Sequence, residues 1–414
     1  MKAGPWMKKI LFTLCIGIFA SACNGQSATD PGTGDAGGTE NPKDSTESVY
    51  YSPDEFVMGA DLSYVNQILD HRGVYKDSSA VENPYRIFKQ YGTNVVRLRL
   101  WHNPEWTRTV YQGTGNPMYN DLADVTRAIR QAKAQGMAVN LDIHYSDTWA
   151  DPDHQNIPKA WLKITDLQVL KDSVYNYTAK VLRHLNKDGL MPEYVQVGNE
   201  TNCGMLYSNA PSAFPELNVC DGHWTQAGLV FNSGIKAVRD LDQESGADTQ
   251  IILHVAQPEN VEWWIDNITT KGDVNDFDII GFSYYSPWSK VALDKISNYV
   301  STFTGKFGKQ AMIVETAYPW TLENADSYPN IFGNESLAAG YPATVNGQFD
   351  YMRDLTQEVM DGGGSGVMYW EPAWITSDMK DLWGTGSAWD NNTFFDFQGN
   401  VQHGIDFMTY PYNL

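Results

Sequence analysis

Glu200 and Glu315 are the residues best placed to do chemistry in this chain. Each closes an apolar run: Tyr194–Glu200 reads YVQVGNE and Ala311–Glu315 reads AMIVE. That is the form of a buried strand ending in an acid. The strand ends of a (β/α)8 barrel are where such enzymes carry their catalytic groups. If both runs belong to one barrel, the two acids face each other across its mouth. Two opposed carboxyls suit hydrolysis of a glycosidic bond. A single buried glutamate is often only an ion-pair partner, so the expectation rests on the pair.

The elements that must position them are legible as an alternation. Strand-like runs are Val57–Asp61, Asn94–Leu100, Met137–His144, Tyr194–Glu200, Gln250–Ala256, Asp278–Tyr284, Gln310–Glu315 and Gly366–Glu371. Helical periodicity lies between them, at Asp121–Gln135, Leu167–Leu185, Trp224–Leu241 and Gly347–Met360. The alternation predicts an α/β fold of βα units, and eight strands predict one closed TIM barrel over Tyr50–Leu414. Polar residues gather at the ends of the runs: Arg97, Arg99, Trp101 and His102; Asp142, His144 and Asp147; Asn199 and Glu200; His254; Ser283, Tyr284 and Tyr285; Glu315; Trp370 and Glu371. A period of two puts Arg97 and Arg99 on one face, and Asp142 and His144 on one face.

Composition narrows the partners. The chain has 414 residues, a formal charge of −21 and a pI near 4.6. That acidity speaks against nucleic acid, which needs a basic face, and against long polyanionic substrates. The 14 Trp and 23 Tyr serve mostly as core. In a cleft they also suit stacking on sugar rings.

Met1–Ala22 reads as a targeting segment rather than fold. Lys8 and Lys9 precede an apolar Ile10–Ala20 that is too short to span a bilayer, and Ala20, Ser21 and Ala22 lead to Cys23. The segment resembles a bacterial lipoprotein signal, which implies lipidation at Cys23. Ordinary signal-peptidase cleavage is the alternative. Residues 23–49 are rich in Gly, Ser, Thr, Asp and Pro and predict a flexible tether. The expected location is the cell envelope, as an outer-membrane or cell-surface lipoprotein, with no membrane contact beyond the lipid. Cys203 and Cys220 are expected to form a disulfide in an exported chain. No Cys/His metal spacing is present, and a monomer is the default.

From Phe56 to Asn413 the chain resembles glycoside hydrolase family 53, the endo-β-1,4-galactanases. The segments that carry the likeness are GADLS (Gly59–Ser63), VVRLRLWHNP (Val95–Pro104), DIHYSDTWADP (Asp142–Pro152), VQVGNE (Val195–Glu200), GFSYYSPW (Gly281–Trp288), VETAYPW (Val314–Trp320) and YWEPAW (Tyr369–Trp374). The resemblance implies retaining cleavage of β-1,4-galactan in pectin side chains. By the matching positions, Glu200 is the acid/base and Glu315 the nucleophile. Asn199 bonds the sugar 2-hydroxyl. Arg97 or Arg99 holds the nucleophile ionised, and Tyr284 or Tyr285 orients it. Trp370 floors the cleaved-sugar subsite, and Trp101, Asp142, His144 and Trp320 line the cleft. A retaining pair must lie about 5–5.5 Å apart, in unlike environments.

The resemblance also implies a structural calcium ion. The positions that match its ligands are Asn324, Asp326, Tyr328 and Asn330 in ENADSYPN, with Ser387 and Asp390 in GSAWDN. Oxygen ligands from alternate residues suit calcium. Asn324 stands where an acid is common. Tyr328 stands where a histidine is common and offers only its carbonyl. No organic cofactor is implied. Two other readings keep the barrel: a retaining mannanase or xylanase, and a glycan-binding surface lipoprotein on an inactive barrel. A phosphate-handling lyase is disfavoured because no Gly-rich anion loop opens a helix.

Overall fold

The computed structural model describes residues 47–112 and 115–413. The expected signal, Cys23 and nearly all of the expected tether lie outside the described residues. Residues from Ser48 onward form one compact unit.

Eight parallel strands close into a barrel. They are β1 (Val57–Asp61), β2 (Val95–Leu100), β3 (Ala138–Ile143), β4 (Tyr194–Val197), β5 (Gln250–Ala256), β6 (Ile279–Ser283), β7 (Gln310–Glu315) and β8 (Gly366–Tyr369). Each pairs with its neighbours in chain order, and β8 pairs with β1. A small antiparallel hairpin, Lys76–Asp77 with Ala80–Val81, stands outside the barrel.

Among the described residues, seven α-helices of 7 residues or more return the chain between strands: α1 (Pro84–Gln90), α2 (Leu122–Ala134), α3 (Leu167–Lys187), α4 (Trp224–Ser245), α5 (Pro258–Thr270), α6 (Ile296–Phe307) and α7 (Val345–Asp361). After β8 the described chain offers a 3₁₀ segment, His403–Thr409, instead of an eighth α-helix. Caps set several boundaries. The side chain of Asp121 accepts from the Asp124 amide, and that of Asp166 accepts from Gln168 and Val169. The Thr344 side chain accepts from the Gly347 amide, which starts α7 two residues before the expected Gly347. Gly246 in the left-handed region lets α4 run past Leu241 to Ser245 before it stops.

The core is built in two layers. Val57, Val95, Tyr194, Ile252, Ile279, Met312, Val314 and Met368 fill one layer contributed by the strands. A larger shell lies between strands and helices. Burial of both faces explains why the strands read as near-continuous apolar runs.

Several strands stop earlier than their apolar runs suggest. Tyr145 after β3, Glu200 after β4, Gln257 after β5 and Glu371 after β8 all have positive φ, from 46° to 66°. Each left-handed residue turns the chain out of the sheet and over the mouth. Single non-glycine residues in this region cost about 1–3 kcal/mol and cluster at functional sites.

Candidate active site

Glu315 is the last residue of β7, and Glu200 lies three residues beyond β4. The turn between Val197 and Glu200 depends on Gly198 at φ +86°, where a Cβ would come 2.8 Å from Thr201 Cγ2. A register shift between Phe282 and Ser283 sets Ser283 opposite Glu315.

Arg97, buried on β2, organises the floor. Its Nη2 lies 2.8 Å from Glu315 Oε1 and donates to Asp142 Oδ2 at 2.8 Å and Asn199 Oδ1 at 2.7 Å. Its Nη1 donates to Asp61 Oδ2 at 2.7 Å. Burial opposes its charge, but Asp142, Glu315 and Asp61 outweigh burial and hold it firmly protonated. Tyr285 donates its hydroxyl to Glu315 Oε2 at 3.1 Å. Burial, then the Glu315 charge, keep that phenol protonated.

Glu200 is held differently. Its Oε1 accepts from the Ser283 hydroxyl at 2.5 Å, and among the described residues it has no cation in contact. Burial, then the charge of Glu315, push its pKa well up. Burial also raises Glu315, and Arg97 pulls it back. The pair therefore separates: Glu315 gives up its proton first and Glu200 keeps one. Environments that separate a pair of carboxyls in this way suit them to unlike acid–base tasks.

Asp142 and His144 support this floor without meeting the cleft as free groups. His144 Nε2 lies 2.9 Å from Asp142 Oδ2, and His144 Nδ1 accepts from the Ala150 amide at 2.9 Å. Burial lowers the His144 pKa, which keeps the ring neutral. Burial works against the charge of Asp142, yet Arg97 and then His144 hold it below the usual carboxylate range.

Three expected assignments change. Tyr284 does not meet Glu315; it packs in the shell against the helices and donates to the Val291 carbonyl at 2.9 Å. Ser283 faces inward, so the next residue points out, and Tyr285 returns because the strand has ended. Arg99 shares a face with Arg97 but lies nearer the mouth, where its Nη2 is 3.0 Å from Glu371. Its guanidinium stacks over Tyr64 and Trp101, at 4.6 and 4.9 Å, rather than reaching Glu315. Trp101 is fully buried, so it cannot line the cleft. It packs beneath the partly exposed Trp149, with ring centroids 5.0 Å apart.

Of the other aromatics, Trp370 is partly exposed and braced edge-on by Trp374 and Trp389. Trp320 is also partly exposed and packs on Phe397. Trp149 and the 48% exposed Trp383 pack at 5.0 Å and form an aromatic wall that strand-end reasoning missed, because both sit well inside loops. Also missed were Asp61 and Gln196. They are inward positions on β1 and β4 and were hidden in apolar runs.

Cys203 and Cys220 are disulfide-bonded, with Cα atoms 5.0 Å apart. The bond closes the loop that follows Glu200.

The positions matched to calcium ligands meet between the loops after β7 and β8. The Thr376 hydroxyl lies 2.7 Å from Asp326 Oδ2 and 2.9 Å from Asp390 Oδ2, with one hydrogen to give between them. Asn330 donates to Asp390 Oδ1 at 2.7 Å, and the Ser387 amide donates to Asp326 Oδ2 at 3.0 Å. Neither aspartate has a basic partner among the described residues, and burial raises the pKa of Asp390. Two carboxylates turned onto one hydroxyl, with amide and hydroxyl oxygens nearby, fit a hard cation. Tyr328 turns its hydroxyl away, onto Asp381 at 2.9 Å. Asn324 is exposed and its oxygen accepts from the Asn330 amide. Among the described residues no three His, Cys, Asp or Glu side chains converge on one point.

A closed parallel barrel with two buried glutamates in unlike settings at its C-terminal mouth is the architecture of a barrel glycoside hydrolase. The chain belongs to glycosyl hydrolase family 53, whose family model matches residues 57–408. It is 42% identical over 341 residues to the arabinogalactan endo-β-1,4-galactanase of Cellvibrio japonicus, covering 82% of this chain and 86% of that one. It is 32% identical to the endo-β-1,4-galactanase of Bacillus subtilis, covering 86% of each. The fold matches the solved family 53 catalytic domain of Ignisphaera aggregans with a TM-score of 0.77, at 31% identity over 89% of this chain and 99% of that one.

Proposed function

We propose that this glycoside hydrolase is a retaining endo-β-1,4-galactanase acting on the galactan and type I arabinogalactan side chains of pectin. The observation that carries the reading is the unlike setting of the two acids: Glu315 lies 2.8 Å from Arg97, whereas Glu200 has only a hydroxyl. The endo-galactanase names of the relatives supply the substrate.

In the first step the Glu315 carboxylate attacks the anomeric carbon. The bond to the leaving oxygen breaks, and Glu200 gives that oxygen its proton. In the second step Glu200 takes a proton from water, the water oxygen attacks the anomeric carbon, and Glu315 is released. Asn199 donates one amide hydrogen to the Ala150 carbonyl at 2.8 Å and keeps the other for the sugar 2-hydroxyl. Trp370 gives the cleaved sugar an apolar face. Arg97 and Tyr285 hold the nucleophile.

A calcium ion between Asp326, Asn330, Ser387 and Asp390 belongs to this proposal. It would tie the two loops together and takes no part in the chemistry.

The test is hydrolysis of linear β-1,4-galactan, with mannan and xylan in parallel and products sized over time. Mid-length galacto-oligosaccharides at early times are expected. Galactose alone from the first time point would overturn the endo assignment. Cleavage of mannan or xylan in preference to galactan would overturn the substrate. Binding without cleavage would leave a glycan-binding barrel.

A further inference from the structure

The proposed mechanism uses Glu200 but leaves unexplained the chain of buried groups behind it. Ser283 Oγ, 2.5 Å from Glu200 Oε1, also lies 2.8 Å from His254 Nε2. His254 Nδ1 lies 2.8 Å from Gln196 Nε2, 3.2 Å from the Glu200 amide and 2.9 Å from Asn199 Oδ1. Ser283 and His254 are fully buried, and Glu200 nearly so. No water-facing partner is available to relax the order of hydrogens.

That order can be worked out from its far end. Arginine only donates. Arg97 Nε donates to Gln196 Oε1 at 3.4 Å, a long bond but one of fixed direction. It leaves Gln196 Nε2 facing His254 Nδ1 at 2.8 Å, Asn199 Oδ1 at 3.1 Å and the Gly198 carbonyl at 3.4 Å; with two hydrogens to give, it donates along the shortest of these, to Nδ1. The Glu200 amide donates to the same nitrogen. Two donors on Nδ1 put the ring hydrogen on Nε2. The Nε2–H then donates to Ser283 Oγ, and the single serine hydrogen goes to Glu200 Oε1. The carbonyl oxygen of a protonated carboxyl is its better acceptor, so this bond favours placing the acid's proton on Oε2. Oε2 makes no hydrogen bond among the described residues.

The opposite order has one supporter. Asn199 Oδ1, already accepting from Arg97, would take a hydrogen from Nδ1. The ring would then be bare at Nε2 and would draw the serine hydrogen. Glu200 would have to point its own proton at Ser283, away from the substrate.

We propose that His254 and Ser283 are positioning residues: His254, held as the Nε2–H tautomer, turns the Ser283 hydroxyl onto Oε1 of Glu200 and keeps the acid's proton on Oε2, the oxygen that must reach the leaving group. The same arginine thus acts on both acids, directly on Glu315 and through Gln196, His254 and Ser283 on Glu200. The relay rests on the assignment of Glu200 as acid/base. His254 must stay neutral for the order to hold, and its surroundings favour this. Arg97 on β2 opposes a positive ring, and a charge on His144 beyond β3 would oppose it further. Asp142 on β3 favours one, and burial outweighs it. Glu200 itself faces the relay from β4.

The first test is nitrogen-15 NMR of the full chain labelled at histidine, with the His254 signals assigned by their loss in His254→Asn. The expected result is the Nε2–H tautomer throughout the pH range of activity. An Nδ1–H tautomer, or a charged ring, overturns the proposal.

Kinetics supply the second test. Ser283→Ala should lower kcat/KM on galactan by about tenfold, the order of one hydrogen bond. It should also move the alkaline limb to higher pH, because the hydroxyl favours the charged form of Glu200. A galacto-oligosaccharide with an activated aryl leaving group, which needs little proton assistance, should be nearly unaffected, and Ser283→Thr should restore the loss. An equal loss on both substrates would mean a merely structural serine and would overturn the relay. The assignment of Glu200 itself fails separately, if Glu200→Ala still turns over galactan normally.

Discussion

At Glu315 two opposing forces act on one carboxyl. Burial and the nearby Asp142 and Asp61 favour its proton, while Arg97 and the Tyr285 hydroxyl favour its charge. Glu200 has burial, then the charge of Glu315, against ionisation, and for it the Ser283 hydroxyl with a smaller pull from Arg97. The sign of the pH dependence follows. Under the proposed mechanism activity needs Glu315 charged, so it falls as pH drops through the lower apparent pKa of the pair. It needs Glu200 protonated, so it also falls as pH rises through the upper one. A bell-shaped profile of kcat/KM is expected, with both limbs belonging to the coupled pair. Arg97→Lys should move the acidic limb upward, since a single ammonium cannot reproduce the fork shared by three carboxylates. Glu315→Ala should cost on the order of 10⁴–10⁶ in kcat, and Glu200→Ala about 10²–10⁴. Correct folding of each variant is checked by an unchanged circular dichroism spectrum. The acids, Arg97, Asn199 and Tyr285 were legible because each stands in or next to a polar cluster at the end of an apolar run. The choice between Arg97 and Arg99 was not, since alternation gives a face but not a depth. The choice between Tyr284 and Tyr285 was not, since it depends on where pairing of β6 stops and on its register shift at Ser283.

Among the elements, the strand runs were legible because strands covered on both faces are apolar throughout, and eight of them leave one closed architecture. Their ends were less so. Leaving the sheet at Glu200 or Glu371 is a matter of φ, and a glutamate gives no advance sign of the left-handed region. Gly198 is the exception, where a glycine marks the turn. Gly198→Ala should cost about 1–2 kcal/mol for the backbone alone, and more for the contact with Thr201. The expected outcome is a melting temperature several degrees lower together with reduced kcat, because the same turn aims Asn199 and Glu200. A normal melting point and normal kcat would mean that the turn is tolerant. The disulfide acts on the next stretch of the same loop. Its cysteines are 17 residues apart, and a loop of that length is worth about 3 kcal/mol in the chain-entropy account. Reduction should lower stability in urea by that order, while kcat changes little, since neither cysteine touches the acids.

For the molecule as a whole, a chain of charge −21 places two aspartates from different loops against one threonine hydroxyl and gives neither a cation among the described residues. Asp326 is packed from behind as well: a Cβ at Gly386 would come within 1.9 Å of its Oδ2, so the loop after β8 approaches it as only glycine allows. These loops also carry the walls of the cleft, with Trp320 next to one and Trp383 within the other. A bound cation would therefore stabilise both the fold and the shape of the substrate channel. Binding to the folded chain alone stabilises it by about 2.7 kcal/mol when the ligand is a hundred times its dissociation constant. Calcium added to chelator-treated protein should accordingly raise the melting temperature in a concentration-dependent way. Magnesium, which demands a more regular set of ligands, should do so less. Asp390→Asn should remove most of the calcium-dependent rise and leave the rest of the melting curve in place. If the chelated protein and the calcium-loaded protein melt at the same temperature, the two aspartates are held by Thr376, Asn330 and the loop amides alone.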